Sequence, residues 1–248
     1  MKTIYCDIGN TNIKFMACND KKISYHIIPT KDKKYFKNGF WNNLPSWLTN
    51  DQEIRLVICS VVPEIYSKII LETKKISNIL EIVNLNRENI NIRICTDNPH
   101  QVGTDLLVLG FFVAHQVNSG IIVNMGTTTT ISFIKDKEFY GTVIAPGLMM
   151  SLEALTKNAS QLKKIDISTC EKFIGKNTIE SVSIGVINGH ALMIKALVDN
   201  IASDVPVYLS GGNAFYVRKL LPQYIYVEQA TLNGMKTIDE NNIQKISN

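Results

Sequence analysis

The chain has 248 residues, of which 45% are hydrophobic and 19% are charged. This length and apolar content exclude a disordered chain and suffice for one large domain or for two smaller ones, each with its own core. The 26 Lys and Arg against 22 Asp and Glu give a net charge of +4, which excludes a nucleic-acid binder defined by charge alone, so no nucleic-acid partner is expected.

Three short strands are predicted in the first thirty residues, because apolar runs alternate with polar turns. The runs cover residues 3–6, 13–18 and 23–28. The first turn, 7–12, contains Gly-Asn, which favours a hairpin. The second turn, 19–22, is polar throughout. We therefore expect an antiparallel meander.

Strands and helices alternate after the meander. A β-branched run at 54–62 predicts a buried strand that ends at Pro63. Apolar residues at helical spacing then predict a helix over 64–80, and a strand follows at 82–85. This alternation is typical of an α/β fold.

The opening pattern returns in the second half of the chain. A strand at 121–124 and a turn at 125–128 precede strands predicted at 129–134 and 139–144. When the two halves are superposed, Asp7 meets Asn124, Gly9 meets Gly126 and Thr11 meets Thr128. We therefore expect two related domains, residues 1–115 and 116–248.

The remaining elements complete the second domain. Apolar residues every three or four positions predict helices over 148–162 and 187–201. A short strand at 205–209 ends at the turn Ser210-Gly211-Gly212-Asn213, and residues from 217 are predicted to begin a closing helix-strand unit.

No membrane span and no export are expected. The longest apolar stretch, 106–114, is too short to cross a bilayer, and the N-terminus has neither an apolar signal core nor a small-residue cleavage site. The cysteines are odd in number and widely spaced, so we expect reduced core thiols in a cytoplasmic protein. They are Cys6, Cys18, Cys59, Cys95 and Cys170.

The turn 7–12 has the residue types of a phosphate site. Gly9 lets backbone N–H groups approach a phosphate, and Asn10 and Thr11 add side-chain donors. Asp7 at the strand end can hold Mg²⁺ directly or through water. Alternatively, Asp7 and Asn10 only shape the turn through Asx hydrogen bonds. The second copy favours phosphate binding, since two hairpins facing each other would hold a triphosphate from both sides.

A second candidate lies where the helix at 106–114 begins. Asp105 at a helix start can accept the proton of a hydroxyl that attacks phosphorus. The alternative is helix capping by Thr104 or Asp105, with Gly103 as the turn. The Gly211-Gly212 pair likewise has two interpretations, a flat backbone surface for an adenine or a simple strand-to-helix turn.

Taken in order, these and other segments resemble the motifs of the type III pantothenate kinase family, part of the acetate and sugar kinase/Hsp70/actin superfamily. The matching segments are Asp7-Ile8-Gly9-Asn10-Thr11, Ser60-Val61-Val62-Pro63, 98–105, Gly126-Thr127, Pro146-Gly147-Leu148 with 151–155, Gly175-Lys176-Asn177-Thr178, Gly211-Gly212 and Leu232-Asn233-Gly234-Met235. They span nearly the whole chain.

The resemblance implies an α/β fold with two ribonuclease-H-like, actin-like ATPase domains and an interdomain nucleotide cleft. It also implies ATP-dependent phosphorylation of pantothenate to 4′-phosphopantothenate, the first step of coenzyme A biosynthesis. ATP and Mg²⁺ are the implied cofactors, and the implied assembly is a homodimer whose substrate site is shared between subunits.

The resemblance also assigns residues. Nucleotide contacts fall on Asp7, Ile8, Gly9, Asn10, Thr11, Asn12, Ile13, Lys14, Gly126, Thr127, Gly211 and Gly212. Asp7 is the implied Mg²⁺ ligand, and Asp105 accepts the proton of the pantothenate hydroxyl. Pantothenate lies against Gly103, Thr104 and Asp105, with Thr178 supplied by the other subunit.

Three positions depart from the family pattern. Thr96 stands where the family usually has Tyr, and Leu106 stands where Arg usually follows the catalytic Asp. Both belong to the implied substrate site, and losing the Arg clamp is expected to cost about 2–4 kcal/mol of binding or transfer. Asn124 replaces an Asp that binds a monovalent cation; it keeps an oxygen ligand but no charge, which weakens the expected K⁺ or NH₄⁺ site.

These departures motivate two alternatives. In the first alternative, the chain is a diverged paralogue that binds nucleotide as a regulatory or interaction module, because the departures cluster on the substrate side while the 7–11 turn is intact. In the second alternative, the chain phosphorylates another small hydroxylated acceptor, because Thr96 and Leu106 would make a smaller and less cationic pocket.

Overall fold

The computed structural model describes residues 1–19, 22–37, 39–49, 53–158, 162, 165–169 and 172–247. These form two compact units: Met1–Asn91 with His100–Phe112 and Thr231–Asn248, and Ile92–Pro99 with Val113–Ala230. The sequence-based division at residues 115 and 116 stays a prediction about domains. Cys170 and the predicted helix position Ala159 lie outside the described residues.

The first unit contains a five-stranded sheet. Its strands are β1 (Lys2–Ile8), β2 (Asn12–Asn19), β3 (Lys22–Pro29), β4 (Ile54–Ser60) and β5 (Ile79–Asn84). The order is β3-β2-β1-β4-β5, with β1, β2 and β3 antiparallel and β4 and β5 parallel to β1. The predicted meander is therefore confirmed.

Three helices from the first half of the chain contribute to the first unit. They are α1 (Ser46–Thr49), α2 (Pro63–Thr73) and the start of α3 (Thr104–Gln116). Pro63 occupies the first turn of α2, where its missing N–H is not needed. The helix predicted over 64–80 was wrong at its end, because Ile76 packs on the core from a turn and Leu80 belongs to β5.

The second unit repeats the sheet. Its strands are β6 (Gly120–Met125), β7 (Thr128–Lys135), β8 (Glu138–Pro146), β9 (Val207–Ser210) and β10 (Ile225–Tyr226). The order β8-β7-β6-β9-β10 reproduces the first sheet, with three antiparallel strands followed by two parallel ones. The internal repeat seen in the sequence is thus a repeat of topology, and the predicted α/β class is confirmed.

The turns of the two hairpins differ in length by one residue. Asp7 lies opposite Lys14, whereas Asn124 lies opposite Thr130. The Gly9 N–H donates to Asn12 O at 3.0 Å, and the Gly126 N–H donates to Thr128 O at the same distance. The strand register therefore matches Thr11 with Thr127, one residue earlier than the superposed sequences predicted.

Helices follow the strands of the second half. They are α4 (Leu148–Asn158), α5 (Thr178–Ser183), α6 (Gly189–Ile201) and α7 (Ala230–Ser247), and a π-helical turn, Ile184–Asn188, joins α5 to α6. The expected helix start at 217 was wrong, because Val217 and Leu221 lie in buried turns, and the closing helix is α7, after β10.

One helical run has the length and composition of a membrane span. It covers Thr178–Ile201, 24 residues, and 56% of its most apolar window is buried inside the structure. Val186, Ile187, Ala191 and Ile194 pack in the core of the second unit. This run has the burial of a core helix.

Candidate active site

Asp7 lies where three strands of the first unit meet. It is opposite Lys14 on β2 and beside Cys59 on β4. Laterally paired residues share a face of a sheet, so the three side chains lie together. Asp7 is only 8% exposed. Burial raises the pKa of Asp7 to about 6, with Lys14 opposing the rise and Asp105 adding to it.

Asp105 is the second residue of α3. A Cβ added to Gly103 would lie 2.6 Å from Asp105 Oδ1, so the carboxylate folds back over the Gly103 backbone. Burial raises the pKa of Asp105, and the N–H groups of Leu106 and of Asp105 itself lower it. Because Asp105 raises the pKa of Asp7, the two carboxylates are close enough to interact.

The first turn is fixed by two hydrogen bonds that Thr30 donates to its main-chain carbonyls. Thr30 Oγ1 donates to Gly9 O at 2.7 Å, and the Thr30 N–H donates to Thr11 O at 2.9 Å. Asn10 and Thr11 are exposed. Of the predicted nucleotide residues, Ile8 and Ile13 are fully buried, so only their main-chain groups remain for a ligand.

Two glycines and an asparagine pack against the second turn, at Gly126 and Thr127. A Cβ on Gly147 would lie 2.7 Å from the carbonyl carbon of Thr127, and one on Gly211, whose φ is +101°, would lie 2.5 Å from Met125 N. Asn213 Nδ2 donates to Gly126 O at 3.0 Å. Gly211 is therefore required for close backbone approach, whereas the space beside Gly212 is open.

Two of the threonines after this turn are buried and have different neighbours. Thr129 is buried and its Oγ1 lies 2.7 Å from His190 Nε2. Burial lowers the pKa of His190, which keeps the ring neutral at pH 7. Thr130 lies beside Asn124 and carries a buried Oγ1 without a hydrogen-bond partner among the described residues. Successive residues of a strand point to opposite faces of the sheet, so Thr129 and Thr130 face different neighbours.

The substrate residues predicted from the family occupy several elements. Gly103, Thr104 and Asp105 are contiguous at the start of α3, and Leu106 is only 8% exposed. Thr96 belongs to the second unit, on a segment that runs along β8, and its Oγ1 is buried without a partner in the described part of the chain. Thr178 is the exposed first residue of α5.

The carboxylates of the site suit a cation that binds together with substrate phosphates. In the described ranges, no group of three or more His, Cys, Asp and Glu could hold a metal on its own. Asp7 and Asp105 nevertheless form a pair of interacting carboxylates. Mg²⁺ in phosphoryl-transfer sites takes one or two carboxylates and completes its shell with substrate phosphates and water. The residues present fit that ion.

Cys59 was expected to be an ordinary core thiol, and its position at the site was missed. It is fully buried, and burial raises its pKa, with Asp7 and Asp105 adding to the rise. The thiol is therefore neutral. Only the parallel register of β1 with β4 brings it beside Asp7, and no local sequence signal contains that register.

The sequence matches the family model described as type III pantothenate kinase over residues 3–200. The type III pantothenate kinase of Geobacillus sp. (strain WCH70) is 33% identical over 251 residues, covering 96% of this chain and 97% of that protein. The protein of the same name from Mycoplasma mobile is 26% identical over 242 residues, covering 94% and 96%.

Solved structures share the fold. A Campylobacter jejuni protein described as a Baf family transcriptional activator has a TM-score of 0.65 at 21% identity, covering 97% of this chain and 99% of that one. Component A of (R)-2-hydroxyglutaryl-CoA dehydratase from Acidaminococcus fermentans has a TM-score of 0.52 at 10% identity, covering 96% and 99%. At these identities the likeness concerns the fold alone, and it confirms the predicted actin-like ATPase class.

Proposed function

The chain belongs to the type III pantothenate kinase family, and we propose that Asp105 is the general base of its phosphoryl transfer. Its activity is the ATP-dependent phosphorylation of pantothenate, the first step of coenzyme A biosynthesis. The family match covers most of the chain. It favours a pantothenate kinase over a nucleotide-binding module or a kinase of another acceptor.

The observation that carries the proposal is the partly buried carboxylate of Asp105 at the start of α3, within electrostatic range of Asp7. As the pantothenate hydroxyl oxygen attacks the γ-phosphorus, its proton passes to an Asp105 carboxylate oxygen, and the bond from the γ-phosphorus to the ADP oxygen breaks. A base works best when its pKa approaches the working pH. The raised pKa of Asp105 moves it in that direction.

The two hairpin turns are the proposed phosphate sites. In the first unit, the exposed residues Asn10 and Thr11 and the cation of Lys14 follow a fixed Gly9. In the second unit, Gly126 and Thr127 form the corresponding turn, with Gly211 and Gly212 proposed for the nucleotide as well. Backbone N–H groups in such turns bind phosphate oxygens.

Asp7 is the proposed holder of Mg²⁺. When bound, the ion neutralises charge on the ATP phosphates. Asp7 is a good candidate because its carboxylate is buried, and both this burial and the charge of Asp105 disfavour its ionised form. Lys14, opposite Asp7, supplies positive charge from the protein itself.

The acceptor site is proposed from the family pattern. Gly103, Thr104 and Asp105 would contact pantothenate, together with Leu106 and Thr96, and Thr178 would come from the second subunit of a homodimer. Leu106 brings no charge, so pantothenate binding lacks the guanidinium usual at this position. Asn124 brings no charge to a K⁺ or NH₄⁺ site. A cytoplasmic location fits this metabolic role.

The test is an ADP-release assay with pantothenate as acceptor. Asp105→Asn keeps the size of the side chain but removes the base, so kcat is expected to fall by about 10²- to 10⁴-fold. Asp204→Asn is the matched control, because Asp204 is exposed and accepts a hydrogen bond from its chain neighbour Ser203. Wild-type kcat in folded Asp105→Asn protein would refute the base.

A further inference from the structure

The turn after β5 is held rigidly by asparagines. The Asn86 N–H donates to Asn89 Oδ1 at 2.9 Å, and the Glu88 N–H donates to Asn86 Oδ1 at 2.9 Å. Asn89 Nδ2 donates to Asn84 O at 2.7 Å, and Asn242 Nδ2 of α7 donates to Asn89 O at 3.0 Å. Arg87 therefore starts from a fixed backbone.

The Arg87 guanidinium reaches the segment that leads to α3. Its Nη1 lies 2.9 Å from His100 Nδ1, and its Nη2 donates to His100 O and to Val102 O, each at 3.0 Å. Guanidinium has no acceptor and stays protonated, so His100 Nδ1 must accept. The Arg87 Nε is buried and has no partner among the described residues.

The two carbonyls that Arg87 holds lie just before the catalytic carboxylate in the chain. Val102 is 9% exposed and is followed directly by Gly103, over which the Asp105 carboxylate folds. Gly103 O accepts the Leu107 N–H, the first hydrogen bond of α3, at 3.2 Å. Fixing residues 100–102 therefore fixes the backbone that aims Asp105.

We propose that Arg87 is a positioning residue of the phosphoryl transfer, because it clamps residues 100–102 and thereby orients the Asp105 carboxylate. The inference rests on the proposed role of Asp105. The planar fork of Arg makes three contacts at fixed angles, and the single ammonium of Lys cannot reproduce them. Misplacing a catalytic group by about 1 Å costs about 10²-fold in rate.

The experiment compares Arg87→Ala and Arg87→Lys with the control Arg218→Ala. Arg218 is exposed and lies over the Tyr226 ring in the second unit. In Arg87→Ala, kcat is expected to fall by about 10- to 100-fold, while KM for ATP stays within about twofold because the 7–12 turn is not touched. Arg87→Lys should lie between, and added guanidinium should restore part of the Arg87→Ala rate. Arg218→Ala should match the wild type.

A purely structural role predicts other results. If Arg87→Ala keeps wild-type kcat per folded molecule, measured against its thermal unfolding curve, the proposal is overturned. If Arg87→Ala does not fold, Arg87→Lys decides: a lowered kcat at unchanged KM for ATP supports the proposal, and a wild-type kcat overturns it. Asp105→Asn separates the two ideas, because an inactive Asp105→Asn beside a fully active Arg87→Ala removes only the role of Arg87.

Discussion

Asp7 is a buried carboxylate, and its burial destabilises the folded protein when the carboxylate is ionised. The same carboxylate is the proposed holder of Mg²⁺. It is 8% exposed, and burial is the main reason for its raised pKa. The folded chain therefore binds this proton more tightly than the unfolded chain does. Stability from the protonated form is present at low pH and is lost as pH rises through about 6.

Asp7→Asn should therefore stabilise the protein at neutral pH. A rise in pKa from 3.8 to about 6 corresponds to a loss of about 3 kcal/mol in the free energy of unfolding. This loss is complete above the folded pKa and absent below the unfolded one. We expect the free energy of unfolding of Asp7→Asn to exceed that of the wild type at pH 7.5 and to approach it near pH 4, measured in urea without nucleotide.

Asp32→Asn is the control of opposite sign. The Lys34 N–H donates to the Asp32 carboxylate and lowers its pKa, so this replacement should not stabilise the protein at pH 7.5. If Asp7→Asn is less stable than the wild type at pH 7.5, the electrostatic account of this position is wrong.

Some site residues could be predicted from a local sequence pattern, and others could not. Asp7 and Asp105 were identified from the sequence because each follows a local pattern, a strand end before Gly-Asn and a helix start after Gly. Cys59 and Arg87 were not, because their roles come from the parallel register of β4 and from contacts with residues 100–102. Such contacts join positions that are distant along the chain.

The second hairpin turn owes its shape to neighbouring backbone rather than to its own residues. Gly147, at the start of α4, and Gly211, after β9, both approach it where a side chain would collide. The sequence predicted this turn at 125–128 from the repeat of the opening strand-turn pattern. Its support could not be predicted, because it depends on two later elements.

Gly147→Ala should disrupt this turn selectively. Its Cβ would collide with the Thr127 carbonyl, so we expect a loss of about 2 kcal/mol in stability and weaker ATP binding, read by thermal unfolding and titration. Gly141→Ala on β8 is the control, because nothing lies within 4 Å of its added Cβ. Equal ATP affinity in the two variants would contradict the proposed phosphate role of the turn.

Helices and strands were predicted better by type than by limits. Apolar runs separated by polar turns located the meander. The predicted α2 continued too far, because Ile76 and Leu80 keep a helical spacing outside the helix. The register of the second hairpin differed for a similar reason, since sequence superposition cannot see a turn that is one residue shorter.

The C-terminal helix α7 packs against the N-terminal sheet. Asp239 on α7 is 3% exposed and accepts hydrogen bonds from Arg55 on β4 and from Tyr5 on β1, and Arg55 also contacts Glu81 on β5 at 2.8 Å. The last helix thus belongs to the first unit. The sequence repeat predicted two halves, but it could not predict this return, because α7 has no counterpart motif at the start.

Asp239→Ala should destabilise the protein by about 3 kcal/mol, because it removes the buried carboxylate that binds both Arg55 and Tyr5 and leaves the Arg55 guanidinium paired with the exposed Glu81. Asp199→Ala removes an exposed pair with Lys195 on α6 and should cost about 0.5 kcal/mol or less. Urea unfolding measures both. A cost for Asp239→Ala no larger than that of Asp199→Ala would contradict the anchoring role of α7.

The most direct measurement is a rapid-quench single turnover with saturating Mg²⁺-ATP and pantothenate, comparing the wild type with Asp105→Asn. We predict that Asp105→Asn binds both substrates yet forms 4′-phosphopantothenate about 100-fold or more slowly. Transfer at the wild-type rate in the folded variant would contradict the assignment of the proton acceptor.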